Sequence, residues 1–524
     1  MSNLSGVSIP RNWAEVTLGK VATFEMGQAP AGSASNFDGN GTIFVKAGEF
    51  GTIQPVVREW TSEPKKFARE GDVLICVVGA TAGKLNLAID CAIGRSVAAI
   101  RPCAGVLQKA VYYQLLPNVE QMRANSTGSA QGVISQADLS KLVIRIPPDR
   151  EQTRIVEKLE ELLSDLDAGV AELKAAQRKL AQYRQSLLKA AVEGALTADW
   201  RATRAQSGKP QETGAALLQR ILTERRTRWE TRQLAKFAEQ GKNPPKDWKA
   251  RYPEPIAPDT TDLPALPKRW VWASVAQLSL VQKYGSSAKT NEESTGVPVL
   301  RMGNIQDGEL DLGFLKYLPQ DHHEFPDLFL DDGDIVFNRT NSPELVGKTA
   351  VFRSQITPCS YASYLIGVKL SPRCAPEFVS AYINSAYGRQ WVKSVVTQQV
   401  GQANVNGSKL AALSVPLPPM DEQAEIARLL VEQRLAAGEQ EVMIDLSLNQ
   451  SAAQRKNILK AAFAGQLVPQ DPNDEPASAL LERIRAERAQ LSAARGIQRT
   501  GSNRAPATSS PNQSKRGRKP RTTA

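Results

Sequence analysis

Several short strings in this chain carry the residue types that phosphate, metal or methyl-transfer chemistry uses, and each lacks a part that the chemistry needs. Gly79-Ala80-Thr81-Ala82-Gly83-Lys84-Leu85 has the glycines and lysine of a phosphate-binding loop, but it is one residue short and has leucine where serine or threonine would hold magnesium. A turn between two strands is the better reading. Asn243-Pro244-Pro245-Lys246 has the outline of an amino-methyltransferase tetrapeptide, yet its fourth place needs an aromatic ring to stack on a flipped base, and no glycine-rich cofactor loop precedes it. A proline-rich linker explains it better. Glu172-Leu173-Lys174 has a nuclease-like spacing, but Leu173 belongs to an apolar helical stripe and the flanking charges to a solvated face. His322 and His323 are the only imidazoles, and neighbours on a strand point to opposite faces, so a shared metal is not expected. The five cysteines (Cys76, Cys91, Cys103, Cys359, Cys374) form no C-x-x-C pair and lie in apolar segments, which predicts reduced structural thiols. With no nucleophile triad, metal cluster or cofactor loop, the chain is expected to catalyse nothing by itself.

What remains are side chains of the kind that read base edges. Asn338-Arg339-Thr340-Asn341-Ser342 follows an apolar, strand-like run, and the stretch from Gln398 to Asn406 is rich in amides. Arginine suits guanine, asparagine and glutamine suit adenine, and lysine or arginine hold phosphates. The DNA-contact candidates are Lys46, Thr81, Lys84 and Gln131 in the first half of the chain. In the second half they are Arg301, Asn304, Asn338, Arg339, Thr340, Asn341, Lys348, Gln399, Gln402 and Asn404. Lys46 and Arg301 occupy matched places, ahead of Gly48 and Gly303. Capping is the competing use for such polar residues: Ser135 and Asn406 sit where an N-cap would precede Asp138-Leu139 and Lys409-Leu410.

The elements that must position these residues come in duplicate. Pro147-Pro148-Asp149-Arg150-Glu151-Gln152 returns as Pro418-Pro419-Met420-Asp421-Glu422-Gln423, and Leu188-Lys189-Ala190-Ala191 returns at the same offset as Leu459-Lys460-Ala461-Ala462. Upstream, Pro10-Arg11-Asn12-Trp13 matches Pro267-Lys268-Arg269-Trp270, but the stretch from Pro267 to Pro418 is longer than that from Pro10 to Pro147. Two unlike heads therefore sit on stems of equal length. Runs such as 72–78, 142–146, 334–337 and 413–417 have strand length and β-branched content, so each head is predicted to be mixed α/β around a twisted sheet. The double proline ends the last strand and can start a helix.

In the first stem Leu159, Leu166, Leu173, Leu180 and Leu187 recur at seven-residue spacing, with Ile155 and Leu162 on the alternate seam. The second stem is poorer, with Ile426, Leu430, Ala437, Ile444, Ser451 and Ile458 at the matching places. Neither stripe can be buried alone, so the two stems are predicted to pack on each other, each about 65 Å long at ~1.5 Å per residue.

The predicted order is a first head over 1–148, a stem over 149–198 and a charged, proline-rich connector over 199–266. A second head over 267–419, a stem over 420–468, a helix over 469–494 and a disordered basic tail over 495–524 follow. The segment 475–484 resembles 212–221, so the repeat includes a helix after each stem. The formal net charge of +11 is concentrated in the connector and the tail, leaving heads and stems near neutral. The tail run Lys515-Arg516-Gly517-Arg518-Lys519-Pro520-Arg521 would add salt-dependent affinity for polyanions. No apolar run reaches membrane-spanning length and no secretory signal opens the chain, so a cytoplasmic protein without membrane contact is expected.

The twofold array of head, Pro-Pro-x-x-Glu-Gln, long helix and Leu-Lys-Ala-Ala-x-x-Gly-x-Leu (188–196 and 459–467) resembles the specificity subunit of type I restriction-modification systems. Val299 to Ile305 and Gly333 to Arg339 look like parts of that family's target-recognition domains. The resemblance implies that each head reads one half of a split, asymmetric sequence in double-stranded DNA. It implies two antiparallel helices that set the unread spacer and dock two methyltransferase subunits, with Leu159, Leu166, Leu173, Leu180, Leu187, Leu430, Ile444 and Ile458 as the spacer and docking residues. Restriction subunits would join them. Adenine N6 would be the methylated atom, with S-adenosylmethionine, ATP and magnesium bound in the partner subunits and no cofactor here. The long connector, the poor second seam and the basic tail depart from the family pattern. A self-sufficient methyltransferase or nuclease is disfavoured by the missing motifs. A DNA-binding coiled-coil adaptor or regulator without modification partners also fits the stems and the tail.

Overall fold

The computed structural model describes residues 9–119, 122–123, 133–208, 210–399 and 402–501. They fall into two compact units, Met1–Glu172 with Ser447–Ala524, and Leu173–Leu446. Each unit holds one head, the start of that head's own stem and the end of the other stem.

The first head is built on a four-stranded antiparallel sheet in the order Ala22–Met26, Val97–Pro102, Val73–Cys76, Leu85–Leu87. Its central strands are apolar over 73–76 and 97–100 because both faces are covered there. Val73, Ile75, Ala98 and Ile100 point into one core, and Leu74, Cys76, Val97 and Ala99 into another. A second sheet carries a parallel pair, Thr42–Val45 beside Cys91–Ile93. Ala14–Thr17 pairs with Val143–Ile146, so the head closes where it leaves for the stem.

The second head repeats the plan: Ser279–Tyr284, Leu365–Leu370, Ile335–Asn338, Thr349–Val351 in the same order, a parallel pair of Val297–Leu300 with Ser360–Tyr361, and Val271–Ser274 closing on Ser414–Leu417. Among the described residues this head alone has a small sheet of Thr340–Asn341, Gln402–Asn404 and Thr397–Gln399.

The loop with the outline of a phosphate-binding motif is a turn between antiparallel strands, with Gly79 and Gly83 in the left-handed region at φ 80° and 87°. His322 and His323 lie in a turn with ring centroids 4.6 Å apart, so the strand-based expectation of opposite faces does not hold. Among the described residues no group of three or more His, Cys, Asp or Glu could hold a metal. All five cysteines are free thiols, and burial pushes Cys76 up to about 11 and Cys91, Cys359 and Cys374 to about 12.

The stem helices span Asp149–Val192 and Met420–Ala462, each starting immediately after its double proline. They run antiparallel: in one unit Gln177 Nε2 donates to Asp445 Oδ1 at 2.8 Å and Arg184 pairs with Glu441 at 2.7 Å; in the other Arg455 pairs with Asp167. The repeated Glu-Gln has a structural cause. Trp13 Nε1 donates to Glu151 at 3.0 Å and Trp270 Nε1 to Glu422 at 2.9 Å, so each stem glutamate ties down the tryptophan that opens its head. Gln152 accepts from Leu107 N at 2.8 Å and donates to Gly105 O at 3.1 Å, while Gln423 accepts from Ala375 N at 2.8 Å. The repeated glycine has one too. Gly465 and Gly194 turn the chain at φ 73° and 76°, and a Cβ on them would overlap Pro10 and Pro267 respectively.

The helix expected after the first stem is present in the connector and extends well beyond 221. After a helix over Ala198–Gln206, the helix Gly214–Glu239 buries Leu217 and Ile221 in the second head's core. Its distal half is braced by Trp248, stacked on Trp229 with centroids 5.8 Å apart, and by Tyr252 edge-on to Trp229 at 5.4 Å. In the other unit Ala477–Gly501 does the equivalent, with Leu480, Leu481 and Ile484 in the first head's core. That helix runs to Gly501, past residue 495 where disorder was predicted; the tail run 515–521 lies outside the described residues. Among the described residues no helix is long and apolar enough to cross a membrane.

Candidate nucleic-acid interface

In the second head the parallel strands end side by side, and the chain beyond each carries polar residues. Arg301 follows Leu300, and Ala362 N donates to Leu300 O at 2.8 Å. Arg339 approaches the same loop from the central sheet: its N–H donates to Tyr364 O at 2.9 Å and Nη1 to Ser363 O at 3.3 Å. Loop 362–364 therefore joins Arg301 to Arg339. The Arg339 guanidinium lies over the Tyr284 ring at 4.8 Å, and Nη2 reaches Asn404 Oδ1 at 3.5 Å. Asn404 Nδ2 in turn donates to Thr340 Oγ1 at 3.1 Å, across the small sheet. Arg339 is thus held flat by an aromatic face and an amide, and the Nε atoms of both Arg301 and Arg339 are buried without a partner. Tyr284 and Tyr364, each 47% exposed, stand beside them. Planar guanidinium groups next to exposed rings can read a base edge or hold a phosphate, though not through these buried Nε atoms.

Other candidates are used up by the fold. Asn304 is 4% exposed and its side chain is saturated: Oδ1 accepts from Arg301 N at 2.8 Å, and Nδ2 donates to Asp311 O at 2.7 Å and Phe314 O at 3.2 Å. Asn338 is 1% exposed and donates to Leu345 O at 3.2 Å. Both amides organise turns and neither can reach a base, which corrects their assignment as DNA contacts. Asn341 caps its own turn by accepting from Ser342 N at 2.8 Å. Lys348 is half-buried just ahead of the return strand, where its backbone carbonyl accepts from Asn338 N at 2.9 Å, and its side chain stays a candidate. Gln399 and Gln402 oppose each other in the hairpin; their side chains, and the whole of Gln131, lie outside the described residues. Ser135 and Asn406 are N-caps, accepting from Asp138 N at 3.2 Å and Lys409 N at 2.9 Å.

The first head has the same frame with different occupants. Gly94 N donates to Val45 O at 2.9 Å and Val77 N to Ser96 O at 2.9 Å, so loop 94–96 stands where 362–364 stands in the second head. Lys46 takes the place of Arg301, but it is paired with the buried Glu59 and lies over the Phe44 ring at 5.6 Å. Lys84 donates to Phe50 O at 2.8 Å, and Thr81 is exposed beside it on the hairpin turn. Arg95, exposed at the tip of the loop, is the cation that residue types alone did not single out. Tyr284 and Tyr364 were missed likewise, since only the strand register aligns 94–96 with 362–364.

The stem leucines are spent on the helix pair and the heads. Leu159, Leu180, Leu187 and Leu430 are buried, and Leu166, Leu173, Ile444 and Ile458 are half-buried. That burial is what the spacer half of their assignment calls for, and it leaves Leu159, Leu180, Leu187 and Leu430 closed to a docking partner. The exposed apolar residues of the second stem are others, among them Val431, Leu435, Val442 and Leu446.

A family model described as the type I restriction modification DNA specificity domain matches residues 10–175 and 268–432, once on each head and the start of its stem. The chain belongs to this family. It is similar to the EcoKI specificity subunit of Escherichia coli K12, 27% identical over 85% of this chain and 87% of that one. The EcoDI specificity subunit of Escherichia coli is 25% identical over 93% of this chain and 97% of that one. A solved chain from a study of complex assembly and conformational transition of the type I R-M system has the same fold, with a TM-score of 0.59, 16% identity, and coverage of 88% of this chain and 99% of that one. The chain is a type I restriction specificity subunit, and the paired stems and duplicated heads are the architecture of its family.

Proposed function

We propose that each head of this specificity subunit reads one half of a split, asymmetric DNA target, and that the paired stems fix the unread spacer between the halves. The observation that carries this reading is one backbone frame with different readers: Lys46 and Arg95 in the first head, Arg301 and Arg339 beside Tyr284 in the second. Equal frames with unequal readers serve two different words. The stems dock two methyltransferase subunits, and restriction subunits join them; Val431, Leu435, Val442 and Leu446 offer the apolar area for such contacts. The methyl group goes to adenine N6. S-adenosylmethionine, ATP and magnesium belong to the partner subunits, the specificity subunit is non-catalytic, and the assembly works in the cytoplasm.

Single-molecule methylome sequencing of the host with this chain intact, deleted, or carrying Arg339→Ala tests the reading. Deletion should abolish one bipartite adenine motif. Arg339→Ala should relax one half-site only, with loss of the roughly 1–3 kcal/mol of discrimination that a bidentate base contact supplies. A methylome unaltered by deletion would sink the assignment, and equal damage to both halves would demote Arg339 to a phosphate contact.

A further inference from the structure

The connector helix carries charge that neither the heads nor the stems explain. Leu217, Ile221 and Arg225 follow one another along the face that docks on the second head, the first two fully buried and Arg225 donating to Ala276 O at 2.7 Å and to Ser279 O. Arg228, Arg232 and Lys236 continue that same stripe at helical spacing, and all three are exposed. The helix outruns the head, and where its docking face leaves the apolar core it turns cationic. Two acids of the helix are occupied elsewhere: Glu224 by Arg373 at 2.7 Å, and Glu230 by Arg226 at 3.4 Å and Lys249 at 3.3 Å. Glu239, one turn beyond Lys236, is the remaining acid near the stripe. The aromatic brace of Trp229, Trp248 and Tyr252 holds this distal half in shape, so its charges are presented without an ordering cost.

We propose that the outer half of the connector helix is a DNA-backbone contact: Arg228, Arg232 and Lys236 hold phosphates of the duplex beside the half-site read by the second head. The proposal rests on the DNA-binding reading given above. Steps of four residues place the three cations ~6 Å apart along the helix axis, a spacing that spans consecutive phosphates of a duplex strand. The helix anchor at Ser279 and the Arg339 partner Tyr284 are the two ends of one six-residue strand. At ~3.4 Å per residue they lie about 17 Å apart, so the helix anchor and the Arg339 site are separated by roughly five base pairs' length. Such contacts add affinity and register without sequence preference.

The test uses the full chain, in the assembly in which it purifies, and a fluorescein-labelled 40-bp duplex of arbitrary sequence as the probe, titrated over a range of potassium chloride. Each lost phosphate contact lowers the slope of log affinity against log salt by ~0.9. R228Q/R232Q/K236Q should therefore lower the slope by about 2–3, while R228K/R232K, which keeps the charge, should leave it unchanged. All three side chains are exposed, so melting temperatures should match. The half-sites in the methylome should also be unaltered. An unchanged slope in the triple glutamine variant overturns the proposal and leaves the DNA-binding reading intact. Loss of one half-site's identity would make the stripe a base reader and overturn it too. Failure of the wild-type assembly to bind either this duplex or one carrying the methylated motif would sink both readings together.

Discussion

Glu151 shows how a residue can be indispensable to a fold and costly to it. It receives the Trp13 indole at 3.0 Å and Gln470 Nε2 at 2.6 Å in a buried site. Burial raises its carboxyl above the ordinary 4.5, against the lowering by those two donors. A raised folded value means that the folded state holds the proton more tightly than the unfolded chain, so this group's contribution to stability falls as pH climbs from the ordinary value through the raised one. Glu151→Gln should abolish that slope: the melting temperature of the wild type relative to the variant should decline as pH rises above the ordinary carboxylate value, and a constant difference would refute the assignment. At this scale the sequence was partly legible. Arg339, Thr340 and Asn404 do converge in the second head. What residue types could not reveal is which amides the turns consume, Asn304 and Asn338, because that depends on carbonyls at Asp311, Phe314 and Leu345 whose orientation follows from the fold.

Among the elements, the stems and the helix after each were legible, and the outer part of the connector was the least. A heptad stripe is a local signal, whereas Leu217 and Ile221 find their core in strands that come after them in the chain, and Trp229 finds Trp248 across a turn. Composition marked 199–266 as charged and proline-rich, and it cannot distinguish a strap from a braced helix. Two stem glycines make opposite predictions. Gly465 terminates a helix at φ 73° with Pro10 against it, so Gly465→Ala should cost about 1–3 kcal/mol of unfolding free energy in urea titrations. Gly438 lies within the second stem, where an added Cβ would meet nothing within 4 Å, so Gly438→Ala should stabilise by about 0.5–1 kcal/mol in the same assay.

For the whole molecule, the division between the units falls within both stem helices, after Glu172 and after Leu446. One heptad inserted into each stem near those points adds ~10 Å of helix, and the unread spacer in the methylated motif should lengthen by roughly two or three base pairs with both half-sites kept. Altered half-sites would show that the stems take part in reading. The closure of Gly465 on Pro10, and of Gly194 on Pro267, also means that each head is completed by the stem belonging to the other. A chain bearing one head and one stem would be an open hook, apolar where the missing stem should lie, and two such hooks are each other's complement. Residues 1–239 alone should accordingly run as a dimer by light scattering. Its twofold axis would convert a reader of two words into a reader of one word and its mirror, an inverted repeat.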